Sequence, residues 1–130
     1  TKDYILYGNI GDSQGFVIKN NILHKVTKDH TYVGMLINNG KLTEESAKTH
    51  PARNLLTRAL GANNPIEIDI FDIDTSVKGL FLCSDGLTNM LTVEQIEKVL
   101  NSNLSIEEAV VKLIKKANLL SHFVGWHYQL

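Results

Sequence analysis

Disulfide chemistry is absent from this chain: it holds one cysteine, Cys83, so no internal bridge can form. That usage fits a reducing compartment, and the expected location is cytoplasmic. An excess of charge is missing too. The 13 basic residues balance 14 acidic ones, for a formal net charge of −1, which gives no field to draw in nucleic acid or an anionic membrane surface. No apolar run approaches the ~20 residues of a membrane-spanning helix. There is no Gly-rich phosphate loop, no cysteine pair for zinc and no His-Glu-x-x-His segment. Ser84 lacks the preceding glycine of a hydrolase elbow. Repeats, low-complexity tracts and linkers are also lacking. The amino terminus, Thr1-Lys2-Asp3-Tyr4, is neither a signal peptide nor an initiator methionine and reads as a cut end.

What is present is enough for one domain. The chain has 130 residues, 43% hydrophobic and 21% charged, close to globular averages. Its organising stretch is Leu80-Phe81-Leu82-Cys83-Ser84-Asp85-Gly86-Leu87. An apolar run followed by turn-formers predicts a buried strand that ends at Asp85, with Gly86 free to turn the chain directly afterwards. Earlier, Tyr4 to Tyr7, Phe16 to Ile18 and Ile22 to Val26 read as strands. Asn20-Asn21 forms a two-residue hairpin turn, so residues 4–26 are expected to make an antiparallel meander.

A helix is predicted over Tyr32 to Ile37, ended by Asn38-Asn39-Gly40. Thr43 caps the next helix, with Glu44 and Glu45 favoured by its dipole, and His50-Pro51 stops it. Residues 53–61 are ambiguous between strand and helix. Ile66 to Ile70 alternates in polarity and predicts a strand, extended by Asp72-Ile73-Asp74. Thr92 to Gln95 and Ser105 to Glu108 match capping boxes. In the second helix Ile106, Ala109, Val110, Leu113, Ile114 and Ala117 share one face. Strands in a block followed by helices indicate a layered α+β fold, not a doubly wound parallel sheet.

With other chemistries unsupported, carboxylates remain. Asp12, in Gly11-Asp12-Ser13, and Asp85, in Ser84-Asp85-Gly86, each follow an apolar strand on a small-residue turn. Brought together they would suit magnesium or manganese, which prefer oxygen ligands. Spacing alone equally allows, and favours, aspartates that only hydrogen-bond their own turns. Bland readings hold elsewhere. Asp29 and His30 read as a local hydrogen-bonded turn, and His50 as a helix stop. Arg53 and Arg58 can pair with Glu67 and Asp69. Cys83 reads as a buried, inert thiol. His122 and His127 are incidental, and Lys112, Lys115 and Lys116 form a solvated helix face.

Four segments in order resemble the metal-dependent protein phosphatases of the type 2C (PPM) family, in its bacterial serine/threonine form. Gly8 to Gly15 is similar to the glycine–aspartate–serine motif, with Gln14 where arginine is usual. Thr27 to Thr31 resembles the threonine–x–aspartate–histidine motif. Thr43 to Gly61 resembles the flap and the strand after it, and Leu82 to Thr88 the serine–aspartate–glycine motif. The resemblance covers residues 4–118 and implies part of an α-β-β-α sandwich with metals at one end. It implies Asp85 as a ligand of the catalytic metals and Asp12 as a ligand, with Asp85, of a third ion. His50, Arg53 and Asn54 would sit in a flap at about residues 38–54, beside substrate. The implied activity is hydrolysis of phosphoserine and phosphothreonine in phosphorylated proteins by water activated on manganese or magnesium. A cognate serine/threonine kinase would be the counterpart.

The departures are equally specific. The family's aspartate–glycine–x–glycine–glycine segment and phosphate-binding arginine, both from its amino-terminal half, are not here. Nor is the glycine–glycine–x–aspartate–asparagine segment expected after the last helix. Residues 119–130 form an atypical tail, with no acidic side chain after Glu108. The chain therefore reads as a fragment that binds the catalytic metals weakly and does not turn over alone. The alternative is a non-catalytic remnant that binds phosphoprotein or a partner.

Overall fold

The computed structural model describes residues 4–62 and 65–124. Five strands form two small antiparallel sheets. Strand β1 (Tyr4–Asn9) pairs with β4 (Asp69–Asp74), from Tyr4 opposite Asp74 to Asn9 opposite Asp69. In the second sheet β2 (Gln14–Lys19) lies between β3 (Ile22–Lys25) and β5 (Gly79–Cys83). The hairpin turn is as expected: Asn20 and Asn21 have φ of 53° and 62°, both left-handed. The three-strand meander is not observed, because β1 leaves the hairpin to join β4 in the other sheet. Strand β4 also begins later than its alternation suggests. Its partner strand ends at Asn9, opposite Asp69, so Ile66 to Ile68 have no neighbour to pair with.

The helices follow local chemistry closely. Thr31 caps α1 (Tyr32–Asn38) by accepting from the Gly34 N–H, and Thr43 caps α2 (Glu44–Lys48) by accepting from Ser46. After β5 the chain enters a short helix, α3 (Asp85–Thr88). Gly86 therefore lies inside a helical turn and does not make the reversal its type suggested. A complete capping box starts α4 (Val93–Leu100). A second joins Ser105 to Glu108 ahead of α5 (Ile106–Val124), which runs unbroken across residue 118. His127 and the last tail residues, 125–130, lie outside the described residues.

The residues 53–61 take neither regular form. Residues 55–57 instead lie against 30–32, through one bridge from Thr31 to Leu56 and bonds from the N–H groups of Tyr32 and Thr57 to the carbonyls of Leu55 and His30.

One face of the β3-β2-β5 sheet carries the core. Phe16, Leu23, Leu91, Ile96, Val99, Ala109 and Leu113 are buried together, with Ile18, Phe81 and Cys83 partly covered beside them. Alternation along β5 sends Phe81 and Cys83 to this side and Leu80 and Leu82 to the other. The strand is thus covered on one face only, against the expectation of full burial. Helix α5 behaves likewise. Ala109, Leu113 and Ala117 are buried, whereas Ile106, Val110 and Ile114 of the same anticipated face are exposed. The three lysines of α5 are solvated, as expected.

Candidate functional site

The register of β2 on β5 decides where the two carboxylates go. Gln14 is opposite Cys83 and Gly15 opposite Leu82. The ladder ends there, and Asp12 and Asp85 lie just beyond it, two residues from Gln14 and Cys83, close enough for their charges to interact. Both loops therefore leave one end of the sheet side by side. Asp12 precedes β2 on a turn whose Gly11 has φ of 103°, a backbone state that suits glycine. Asp85 opens α3, after Ser84 at its N-cap position. Both residues are half-buried. Burial raises the carboxyl pKa of Asp12 above its ordinary value, and the Asp85 charge adds to this, with a smaller push from Asp29. Two acids held in each other's field are the arrangement that a cation between them would relieve.

The loop bearing Asp12 is fastened by residues that the sequence offered only as a local turn. His30 is buried, at 6% exposure. Its Nδ1 accepts from the Gly11 N–H at 3.1 Å, and its own N–H donates to the Gly11 carbonyl at 2.9 Å. Acceptance on Nδ1 leaves the ring proton on Nε2, which donates to Asp69 at 2.9 Å. Arg58 donates to the other oxygen of Asp69 at 3.0 Å and pairs with Glu67 at 3.1 Å. Thr27 accepts from the Gly15 N–H at 3.0 Å, and Gln14 donates to Asp29 at 3.1 Å. Lys25 pairs with the remaining oxygen of Asp29 at 2.7 Å. Gln14, where arginine was expected, is neutral, so the positive charge on Asp29 comes from Lys25.

These contacts turn Thr27 to His30 from a local turn into a long-range brace. The signal available in the sequence was a threonine, an aspartate and a histidine packed into four residues after a strand.

The other site residues stand apart. The imidazole of His50 accepts from the Ala52 N–H at 3.1 Å and packs by Tyr32, with ring centres 6.1 Å apart. Arg53 and Asn54 are exposed, and no hydrogen bond or ion pair among the described residues joins their side chains to Asp12 or Asp85. A shallow open pocket lies elsewhere, lined by Ile10, Thr57, Arg58, Ala59, Ile66 and Glu67. Its cation, Arg58, is already matched by two carboxylates, so it is a poor anion receptor. Cys83 is half-buried, with burial pushing its thiol up to about 11.

The donors fit magnesium or manganese in kind but not in number. Hard cations of this type take about six oxygen ligands. Among the described residues no group of three or more His, Cys, Asp or Glu side chains is placed to hold a metal. No described helix is long and apolar enough to cross a membrane.

Comparison with known proteins gives this chain relatives. No family model matches the sequence. A serine/threonine phosphatase, Stp, of Listeria welshimeri is 40% identical over 118 residues, covering 90% of this chain and 47% of the relative. A protein of Streptococcus pyogenes named as a putative protein phosphatase 2C-type is 36% identical, over 88% of this chain and 47% of the relative. The solved serine/threonine phosphatase of S. agalactiae superposes with a TM-score of 0.83 at 36% identity, covering 91% of this chain and 49% of that one. The catalytic domain of the phosphatase PstP, solved with two manganese ions, superposes at 0.75 with 27% identity, over 92% and 49%. The chain thus spans about half the length of the curated relatives it matches. In sequence and in fold it matches the carboxy-terminal half of these PP2C-type serine/threonine phosphatases.

Proposed function

We propose that residues 1–118 form the carboxy-terminal half of a metal-dependent phosphatase domain that hydrolyses phosphoserine and phosphothreonine in proteins. Asp85 and Asp12 are its metal ligands. His50, Arg53 and Asn54 belong to a flap that meets substrate, and a serine/threonine kinase, in the cytoplasm, makes that substrate. The observation that supports this reading is the juxtaposition of Asp12 and Asp85 at one end of β2 and β5, with the Asp12 carboxyl raised by burial and then by its neighbour. Manganese or magnesium, when bound, supplies Lewis acidity and an activated water near neutral pH. The chain's own part is to hold two carboxylates beside the ends of β2 and β5 and brace the loop of one of them through His30.

Alone, the chain offers too few donors for a complete cage, so isolated it is not expected to turn over. Purified protein given p-nitrophenyl phosphate and millimolar manganese tests this. No metal-dependent release above the Asp85→Asn background is expected, and robust release would defeat the idea. The shortage of donors also favours a second reading, a remnant that binds phosphoprotein without catalysis. Calorimetric titration with manganese separates the two: weak uptake lost in Asp85→Asn supports the first reading, and a phosphopeptide bound without any metal uptake supports the second.

A further inference from the structure

Charge balances over the whole chain but not along it. Helix α5 keeps its acids in the first turn, Glu107 and Glu108. The Glu108 carboxylate turns back to the helix start and accepts from the Ser105 N–H at 2.8 Å. From residue 109 onward the sequence holds no further Asp or Glu, while Lys112, Lys115 and Lys116 follow within two turns.

The fold decides which flank these residues occupy. Ala109, Leu113, Ala117 and Ser121, each four residues on, are buried, and α3 and α4 are the packed neighbours of α5. That row seats one flank of the helix and leaves the opposite flank to solvent. Lys112, Lys115, Lys116 and Leu119 lie on the outer flank, at spacings of three and four, and all are exposed. Leu119 is 62% exposed, and Val111 and Leu120 at its borders are exposed too.

A solvated flank is normally polar along its whole length. This one becomes apolar toward its end, and the sequence beyond Leu120 adds Phe123, Trp126 and Tyr128 without an acid. Lysine stems beside exposed leucine, followed by aromatic residues, suit a helix lying in a bilayer surface. The ammonium heads reach lipid phosphates, and the apolar groups enter the boundary of the acyl chains.

We infer that the outer flank of α5 from Val111 to Leu120 is a contact surface for an anionic lipid bilayer, lying in its plane and not across it. The charges favour lipid over a second copy. An antiparallel second α5 would have to answer three lysines with Glu107, because Glu108 is held by its own cap. An anionic surface answers all three at once. The flank also faces away from the side that α5 buries, so the fold need not open for it to bind.

Flotation of the full chain with vesicles tests this. Vesicles of equal parts phosphatidylglycerol and phosphatidylcholine are expected to carry the protein at low salt, and phosphatidylcholine alone to leave it behind. Added salt should release it. The triple variant Lys112→Gln, Lys115→Gln, Lys116→Gln and the single variant Leu119→Ser are each expected to weaken binding by about tenfold. Lys19→Gln with Lys41→Gln, which removes two exposed lysines elsewhere, should not. Trp126, the sole tryptophan, should shift its emission to the blue on the anionic vesicles. Circular dichroism of each variant confirms that the fold is kept.

A chain that stays in solution overturns the inference. So does equal flotation on both lipids, which would come from apolar surface elsewhere, and so does flotation indifferent to the lysine variant. Self-association dissolved by Leu119→Ser, without uptake by vesicles, gives the flank to a second copy instead.

Discussion

His30 grips Gly11 from both sides of the peptide, taking its N–H on Nδ1 and giving its own N–H to the Gly11 carbonyl. The residue next to Gly11 is Asp12, so the grip fixes one candidate ligand from a buried position. His30→Ala removes the acceptor and leaves a buried donor unmet, at a cost of about 1–3 kcal/mol. His30→Asn, whose oxygen can still accept, is expected to recover part of this. Urea unfolding midpoints at neutral pH measure both.

Asp69 ties the same brace to pH. The hydrogen bond from His30 leads in lowering its carboxyl pKa, with the charge and hydrogen bond of Arg58 contributing further. A lowered folded value means that the stabilisation is fully present above the ordinary aspartate value and fades as pH falls through the lower one. Asp69→Asn should therefore be less stable at neutral pH and show a flatter loss of stability in acid. Thermal midpoints taken across that acid range decide it.

Asp12 has the opposite sign. Burial and then Asp85 raise its carboxyl pKa, so the fold prefers the protonated form. Its contribution turns unfavourable as pH rises from the ordinary value of 3.8 through the raised folded one. In chelator at neutral pH, Asp12→Asn and Asp85→Asn should each raise the thermal midpoint. A drop in either variant would mean that the carboxylates stabilise the isolated fold and are not a repelling pair.

Gly34 tests the brace from a different direction. A side-chain carbon there would strike the Asp29 carbonyl oxygen, with Thr31 Oγ1 at 3.0 Å. Gly34→Ala is expected to push the 29–31 segment aside, costing about 1–3 kcal/mol. Faster hydrogen exchange at the Gly11 amide would report that the displacement reaches the Asp12 loop.

The helical face should divide in two. Ile96 is fully enclosed, and Ile96→Ala is expected to cost about 2–5 kcal/mol. Ile114, on the open side of α5, is expected to tolerate serine within about 0.5 kcal/mol in the isolated chain. Unfolding in urea compares the two.

Local chemistry was legible and long-range pairing was not. The Asn20-Asn21 turn and the threonine caps depend on a few neighbouring residues, so residue type alone identifies them. The partner of β1 depends on a strand far along the chain, and nothing within residues 4–26 names it. Ile66 to Ile68 alternates without becoming a strand, because alternation permits pairing but does not supply a neighbour. Apolar spacing on α5 gave a face, yet the cover on that face decides how much of it is buried. Asp12 and Asp85 were recognisable from their motifs. Their adjacency needed the β2–β5 register, and the role of His30 needed the tertiary bonds.

Cys83 gives the molecule a built-in clock. Burial holds its thiol up to about 11, so little nucleophilic thiolate forms at neutral pH while β5 is in place. Loss of that burial returns the sulfur toward ordinary acidity. With no second cysteine to compete, the alkylation rate of the intact protein tracks how often strand β5 lets go of β2.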